Sequence, residues 1–499
     1  MEGEAQSQTL GAIHRLDKDS LTEIFFWFVR DERFKLVVKF KDLIRITHIC
    51  RGWRELGLDL AELWGDVVFA SGKPDVFSIL LQRARNAPLD LPFSIPAIAE
   101  QLQYIGEHPE RFRVMNIARS VQWDPASLAG KHLPHLEIAR LYARPQNEHF
   151  YFDLAPVVMP YARDLYFSLF CIPFNAPNLC NLRITATRPF EPRALVSMLN
   201  ALPQLCHLKL RYCLPISYIQ DGDGVERIEL PKISYIDLKD FCISATVFLE
   251  QLQTINPEST VHLSLNPDVR GSRCEPGRLA QAVRPYLRVS SRNALVMALR
   301  QQFVIAAYPS NNEDSDEYNI LQHAVTIRTE ARESSLTFYT AFFEQLCVSH
   351  IRHLSIHQGE VPEGSPSAHD MTLLLRDHIR DAPVQTVKHH MSFIDNESRF
   401  DRSRTSPLLL DEPTLWPQLR ELTLSEDACV YVSTIAEGAS SLLNWLEKRV
   451  ATGSPLERLR LLGERYDSER YDSESPSFES LDVQGEWDLI EDIVNVVDA

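Results

Sequence analysis

The 499-residue chain has no apolar run near the roughly 20 residues that cross a bilayer, and its start, MEGEAQSQTL, lacks the basic-then-apolar form of a secretory signal. A cytoplasmic or nuclear protein with no membrane partner is expected. Its nine cysteines are scattered and never form a CxxC pair, so neither a disulfide framework nor a zinc site is indicated, and reduced, buried thiols are expected. P-loop, GxGxxG, GxSxG and HExxH patterns are all missing. That leaves open a hydrolase recognised only by geometry, but the expectation is no enzyme, no cofactor and no metal. A net charge of −17 without a segregated basic stretch excludes a general nucleic-acid binder.

What the chain has is a dense apolar start. Leu21, Ile24, Phe25 and Phe28 fall at i, i+3, i+4 and i+7, so SLTEIFFWFVR predicts a helix with Asp19 or Ser20 as N-cap and with Phe26 and Trp27 off the stripe. A second predicted helix, KDLIRITHICRGWREL, spaces Leu43, Ile46, Ile49, Cys50 and Trp53 by threes and fours. Such helices are apolar most of the way round, and fifty-odd residues cannot wrap them completely. Either this is a small packed bundle, or it exports one apolar face to a partner.

The run Leu16-Asp17-Lys18-Asp19-Ser20-Leu21-Thr22-Glu23-Ile24-Phe25, then Leu43 to Arg54 ending Cys50-Arg51-Gly52-Trp53-Arg54, then Leu63-Trp64, resembles an F-box of the kind found in large fungal (basidiomycete-type) families. The sequence departs from the family pattern at Asp17, where proline is usual, at Ser20, which replaces the first of paired leucines, and in the longer segment DERFKLVVKFK. The resemblance implies a module that binds the Skp-type adaptor of a cullin-RING ubiquitin ligase. Leu16, Leu21, Ile24, Phe25, Leu43, Ile46, Ile49 and Trp53 would divide between adaptor interface and module core.

From about residue 111 a pattern of apolar, two residues, apolar, one residue, apolar recurs. It is clear in APNLCNLRI, LPQLCHLKL, LPKISYIDL, SHIRHLSI, WPQLRELTL and SPLERLRLL, and weaker in RFRVMNI, LPHLEIARL, ARDLYF, TVHLSL and HAVTI. Successive last anchors Ile184, Leu210, Leu238 and Leu265 lie within the roughly 20–29 residues of leucine-rich repeats. Each copy predicts one strand, returned by a helix or irregular segment such as ALVSMLNALP or TFYTAFFEQLCVSH, and neighbours stack because none can bury its apolar face alone. Asn266 to Leu321 holds no clean copy, so the array is expected to be irregular or interrupted there, with the polar loop PSNNEDSDEYN as a candidate cause.

The expected fold is therefore α/β. A helical F-box at 13–69 and a connecting helix and strand at 70–110 precede an irregular leucine-rich-repeat solenoid, a horseshoe, at 111–463, and an acidic tail at 464–499 carries the ERYDS duplication and Ser475-Pro476. In the connecting helix Val76, Ile79, Leu80 and Arg83 share a face, and the segment is too apolar for a flexible tether. DGDGVE is similar to the start of a calcium loop, but an EF-hand's sixth and twelfth positions fall on Glu226 and Lys232, so a turn is expected. His350, His353 and His357 lie in a strand signal rather than at metal-ligand spacing.

Two functions fit this reading: a substrate-recruiting subunit of a Skp-cullin-F-box ligase, or a repeat scaffold whose N-terminal helices cap the array. In either, residues between the strand anchors face outward. Asn181, Arg183, Lys209, Arg211, Asp237, Lys239, His353, Ser355, Glu421 and Thr423 are then the candidates for contacting a protein partner, and their signs alternate along the array.

Overall fold

Alternate apolar residues put one face of a strand in the core and the other outside, and where such strands stack in parallel their anchors form ladders. The computed structural model describes residues 16–30, 36–91, 98–117, 123–143, 149–151, 153–186, 188–215, 227–253, 256–266, 275–287, 294–299, 303–308, 325–329, 340–345, 348–358, 374, 377–380, 382–391, 415–424, 436–461 and 495–498. It is a mixed α/β chain with extensive parallel sheet. Two compact units divide it, one formed by 1–215 with 228–232 and the other by 216–227 with 233–499.

The first unit opens with helices α1 (Lys18–Arg30), α2 (Leu36–Thr47), α3 (Arg51–Asp59) and α4 (Ala61–Val67), followed by α5 (Pro74–Ala84). KDLIRITHICRGWREL is thus two helices rather than one. The chain breaks at His48–Cys50, where Cys50 is extended (φ −154°, ψ 174°) and lets α3 restart at an angle. Nor is the cap of α1 Asp19 or Ser20. Asp17 Oδ1 accepts the Ser20 amide at 2.7 Å, so Asp17 supplies the cap.

Strands β1 (Leu89–Leu91), β2 (Phe112–Ile117), β3 (Ile138–Tyr142), β4 (Asp164–Ser168), β5 (Asn181–Thr185) and β6 (His207–Arg211) lie side by side in chain order, all parallel. Register aligns the anchors. Met115, Ala139, Leu165, Leu182 and Leu208 form one row and Ile117, Leu141, Phe167, Ile184 and Leu210 the next, every one buried. Helix α6 (Ala99–Glu107) precedes β2, and α7 (Pro192–Asn200) returns the chain between β5 and β6 with Leu195, Val196 and Leu199 buried.

A repeated hydrogen bond fixes that register. The carbonyl of Glu137, just ahead of β3, accepts the amides of both Arg163 and Asp164; that of Arg163 accepts Cys180 and Asn181; that of Cys180 accepts Cys206 and His207. Each carbonyl thereby uses both lone pairs, on the residue just ahead of the next strand and on that strand's first residue.

In the second unit β7 (Tyr235–Phe241), β8 (Thr260–Asn266) and β11 (Val325–Thr329) are parallel neighbours, with α8 (Cys242–Gln251) and α9 (Pro276–Leu287) between them in sequence. Between β11 and the rest of the sheet stands an antiparallel hairpin of β9 (Ala294–Leu299) and β10 (Phe303–Tyr308). The interruption expected between 266 and 321 is therefore made by two further strands. Their apolar runs, ALVMAL and FVIAAY, carry no L-x-x-L-x-L spacing. Parallel pairing then resumes from β9 through β12 (His353–Gln358), β13 (Thr386–Met391), β14 (Glu421–Leu424), β15 (Arg458–Leu461) and β16 (Asn495–Asp498). The forked carbonyls return: Arg352 accepts Gln385 and Thr386, Gln385 accepts Arg420 and Glu421, and Arg420 accepts Glu457 and Arg458. Helix α10 (Ala436–Ala451) carries Arg449, fully buried, whose guanidinium donates to the carbonyls of Leu415, Trp416 and Leu419 ahead of β14. Burial pushes its pKa down to about 10, still charged at neutral pH.

Cys50, Cys171, Cys180, Cys206 and Cys213 are free thiols, but only Cys171 and Cys213 are buried as expected; the other three are half-buried. Cys242 is not free; it is disulfide-bonded, and chain spacing could not show which cysteines the fold brings together. The loop 309–319, the DGDGVE segment and the tail with Ser475-Pro476 lie outside the described residues.

The helical start is tied closely to β1 and β2. Arg113 Nη2 reaches Asp66 Oδ1 and Asp90 Oδ2, each at 2.7 Å, and its Nε reaches Asp90 Oδ1 at 3.1 Å. Burial works against the charge, but the bond to Asp90 and the carboxylates of Asp90, Asp66 and Glu137 outweigh it and raise the Arg113 pKa. Trp64 is fully buried, with its indole N–H on the Gly57 carbonyl at 2.8 Å and the Arg83 guanidinium 4.5 Å from its ring centre. In α5 it is Phe77, Leu80 and Ala84 that are buried, while Ile79 is 48% exposed. At Gly65 a Cβ would run into the backbone carbonyl of Pro88, whereas at Gly52 it would meet nothing within 4 Å. Gly65→Ala should therefore destabilise the first unit by about 1–3 kcal/mol through overpacking. Gly52→Ala should stabilise its helix by roughly 0.5–1 kcal/mol. Denaturant melts of both variants check the opposite signs.

Candidate functional site

The residues nominated in the helical module separate by burial. Phe25 and Leu43 are fully enclosed and Ile46 is 6% exposed, so these three are core. Their offer as docking residues is corrected by their packing: Phe25 sits against Gly57, where a Cβ would come within 2.8 Å of its ring, and lies 5.6 Å from the Trp53 ring. Leu21, Ile24 and Trp53 are half-buried. Leu16 and Ile49 are exposed, at 41% and 55%. Three residues not nominated join them: Trp27 at 64%, Phe28 at 42% and Leu58 at 37%.

Apart from Ile49, these exposed groups fall in two places. Trp27 and Phe28 meet edge to face, ring centres 5.5 Å apart, near the end of α1. Leu16, Leu21, Cys50, Trp53, Leu56 and Leu58 line an open cleft of about 760 Å³, rimmed by the charged residues Lys18, Glu55, Asp59 and Arg85. Geometry explains the split. Breaking the second helix at His48–Cys50 turns Ile49 out of the face that buries Leu43 and Ile46, a change that continuous helical spacing could not reveal.

The sheet face is the second candidate surface. In the first unit register places Asn116, Arg140, Tyr166, Arg183 and Lys209 in one outward row and Tyr142, Ser168, Thr185 and Arg211 in the next. The row before them is Val114, Ile138, Asp164, Asn181 and His207. Arg140, Arg183 and His207 are exposed and Asn181, Lys209 and Arg211 half-buried. Tyr142 and Tyr166 stand edge to face at 5.0 Å. The charges do not alternate in sign. From β3 to β6 these rows hold four cations and a single carboxylate, Asp164, which lies 3.7 Å from Arg140. These cations come from β3, β5 and β6 and are brought to one face only by register.

In the second unit Asp237, Ser355 and Thr423 are 6%, 7% and 4% exposed and so are not presented to a partner. Short side chains are covered by longer register neighbours: Ser355 lies beside Lys388, Thr423 between Lys388 and Arg460, and Asp237 beside His262. Lys239, His353 and Glu421 are half-buried. His353 Nδ1 lies 2.7 Å from Thr386 Oγ1, and Glu421 is bracketed by Arg460 at 2.8 Å and Arg458 at 3.5 Å, so its carboxylate is already paired.

Arg140, Tyr142 and Tyr166 were missed because LPHLEIARL and ARDLYF are weak copies of the strand signal. Reading the positions between their anchors as in the stronger copies would have found them. No group of three or more metal-ligating side chains occurs among the described residues, and no described helix is long and apolar enough to cross a membrane. Searches against protein-family models and against curated proteins find no match to the chain.

One titration follows from the cap of α1. The Ser20 amide bond lowers the Asp17 pKa below its ordinary value of 3.8. A depressed carboxylate pKa gives stability that is present above the unfolded value and lost as pH falls through the folded one. Hydrogen-exchange protection of Lys18–Arg30 should therefore be higher in the wild type than in Asp17→Ala at about pH 7, and the difference should shrink as pH falls below the ordinary carboxylate value and through the lowered one.

Proposed function

We infer that the chain is a substrate-recruiting F-box subunit of a Skp-cullin-F-box ubiquitin ligase, without catalysis of its own, working in the cytoplasm or nucleus. In this reading residues 13–69 dock the Skp-type adaptor and through it the cullin. The connecting segment 70–110 holds that module against the strands, and 111–463 is an irregular leucine-rich-repeat receptor for a protein substrate. The observation that carries it is the apolar surface left open on the helical module: Leu16 and Leu58 on the cleft, Ile49 next in sequence to its lining residue Cys50, and Trp27 with Phe28 on α1. A module serving only as a cap has no need to expose so many large apolar groups.

Supporting the repeat assignment are the parallel strands in chain order, the aligned leucine rows and the recurring forked carbonyls. The scaffold reading draws on a different observation. Gly65 against Pro88 and Arg113 between Asp66 and Asp90 seat α4 on the first strands as a terminal cap would be seated.

Purified Skp-type adaptor and the full-length chain separate the two. Under the ligase reading the wild type retains the adaptor on a column, and Leu16→Asp with Ile49→Asp loses it while the melting temperature holds, since both side chains are exposed before binding and would place unpaired charge in the interface. Leu43→Ala should act differently, costing about 2–5 kcal/mol of stability as a buried truncation. A folded wild type that fails to retain the adaptor leaves the scaffold reading in force.

A further inference from the structure

The strand signal repeats so closely that the residues just ahead of β5 and of β6 are both cysteines, Cys180 in PNLCNLRI and Cys206 in PQLCHLKL. The Cys180 carbonyl accepts the Cys206 amide at 2.8 Å, and Asn181 and Leu182 then pair with His207 and Leu208, so the two cysteines are register neighbours at the start of parallel strands. Their side chains are oriented alike. Each Sγ–H is directed to the carbonyl two residues back, that of Asn178 at 3.5 Å and that of Gln204 at 3.4 Å. Both are free thiols and half-buried, so solutes can reach them. Two sulfurs oriented alike on neighbouring strands stand one strand spacing apart, about 4.8 Å.

We propose that Cys180 and Cys206 together bind one cuprous ion, the two sulfurs holding it in line between β5 and β6. An ion midway between them lies about 2.4 Å from each, close to the roughly 2.3 Å of a zinc–thiolate bond. Thiolates select soft ions, cuprous ion among them. A disulfide fits the spacing less well, since it draws the two Cβ atoms to about 3.5–4.5 Å. Tetrahedral zinc and iron–sulfur clusters need further ligands, and no group of three or more metal-ligating side chains forms among the described residues. Each thiol gives up its proton as its bond to the metal forms. Two protons therefore leave, the copper stays monovalent, and the complex carries one negative charge. Arg163 holds the same position ahead of β4, so the next residue in the row is a cation. The site lies wholly on the strands and is independent of the ligase reading.

The test titrates the full-length protein with cuprous ion under argon in thiol-free buffer, with bicinchoninate as competing chelator. Wild type, Cys180→Ser, Cys206→Ser and the double variant are compared, and circular dichroism checks that all are folded. The wild type should hold one equivalent more than any variant, and each single substitution should lose as much as the double because both sulfurs serve one site. The ion should raise the melting temperature of the wild type more than that of the variants. Retention should weaken as pH falls, because protons compete for the sulfurs. X-ray absorption on wild type loaded with one equivalent should show two sulfur neighbours. Equal retention by wild type and variants, loss in one single variant but not the other, or a coordination shell without two sulfurs would each overturn the proposal. So would ready formation of a Cys180–Cys206 disulfide with diamide, mapped on peptides, since the sulfurs would then approach more closely than the ion requires.

Discussion

The forked hydrogen bond that opens six of the parallel strands is the constraint on which the rest depends. One carbonyl, at Glu137, Arg163, Cys180, Arg352, Gln385 or Arg420, takes the amides of the residue just ahead of the next strand and of that strand's first residue. Both lone pairs are used, so a slip by one residue would forfeit two bonds and turn every anchor to the wrong face. Once register is fixed, the leucine rows close the core on one side. The intervening residues are necessarily stacked on the other, and in this way arginines scattered over some seventy positions become neighbours. The surface is a by-product of the backbone, although its chemistry is set by side chains alone.

How much of this could be read beforehand depended on range. The L-x-x-L-x-L signal reports a local alternation, and each of its copies, strong or weak, corresponds to a strand or strand start. Helix periodicity likewise located α1 and α2, and the connecting helix came out as α5. What stayed hidden was whatever depends on a neighbour distant in sequence. The hairpin β9–β10 is uniformly apolar and carries no repeat spacing. Burial of Asp237, Ser355 and Thr423 is decided by the length of side chains on adjoining strands. The gathering of cations needs register. At the helical start, the break at His48–Cys50 divided the nominated residues into core and surface, so Phe25, Leu43 and Ile46 went inward and Ile49 outward.

A second constraint acts where helices meet strands. Asp66 on α4 is almost wholly buried and shares Arg113 with Asp90, while Gly65 lets α4 approach the Pro88 backbone. Ion pairs with this little solvent give less net stability than their Coulomb energy suggests, because desolvation offsets it, but they tolerate few alternative arrangements. Their effect is positional. Three elements, α4, β1 and β2, are oriented by a single guanidinium, so whatever docks on the helical module has a defined relation to the first strands of the same unit.

The inverted hairpin has a consequence for how the chain is made. Throughout β1–β6 each strand pairs with the one synthesised just before it, so the sheet can grow as the polypeptide leaves the ribosome, N-terminal part first. At β8 that order fails. Its partner is β11, and β9 and β10 emerge in between, pairing with each other and then with strands on the far side. For the time taken to translate from Asn266 to Val325 the edge of β8 stays open, a row of unsatisfied amides and carbonyls on a nascent chain. That interval is where a chaperone has most to protect, and where a pause in translation would most readily send the second unit astray.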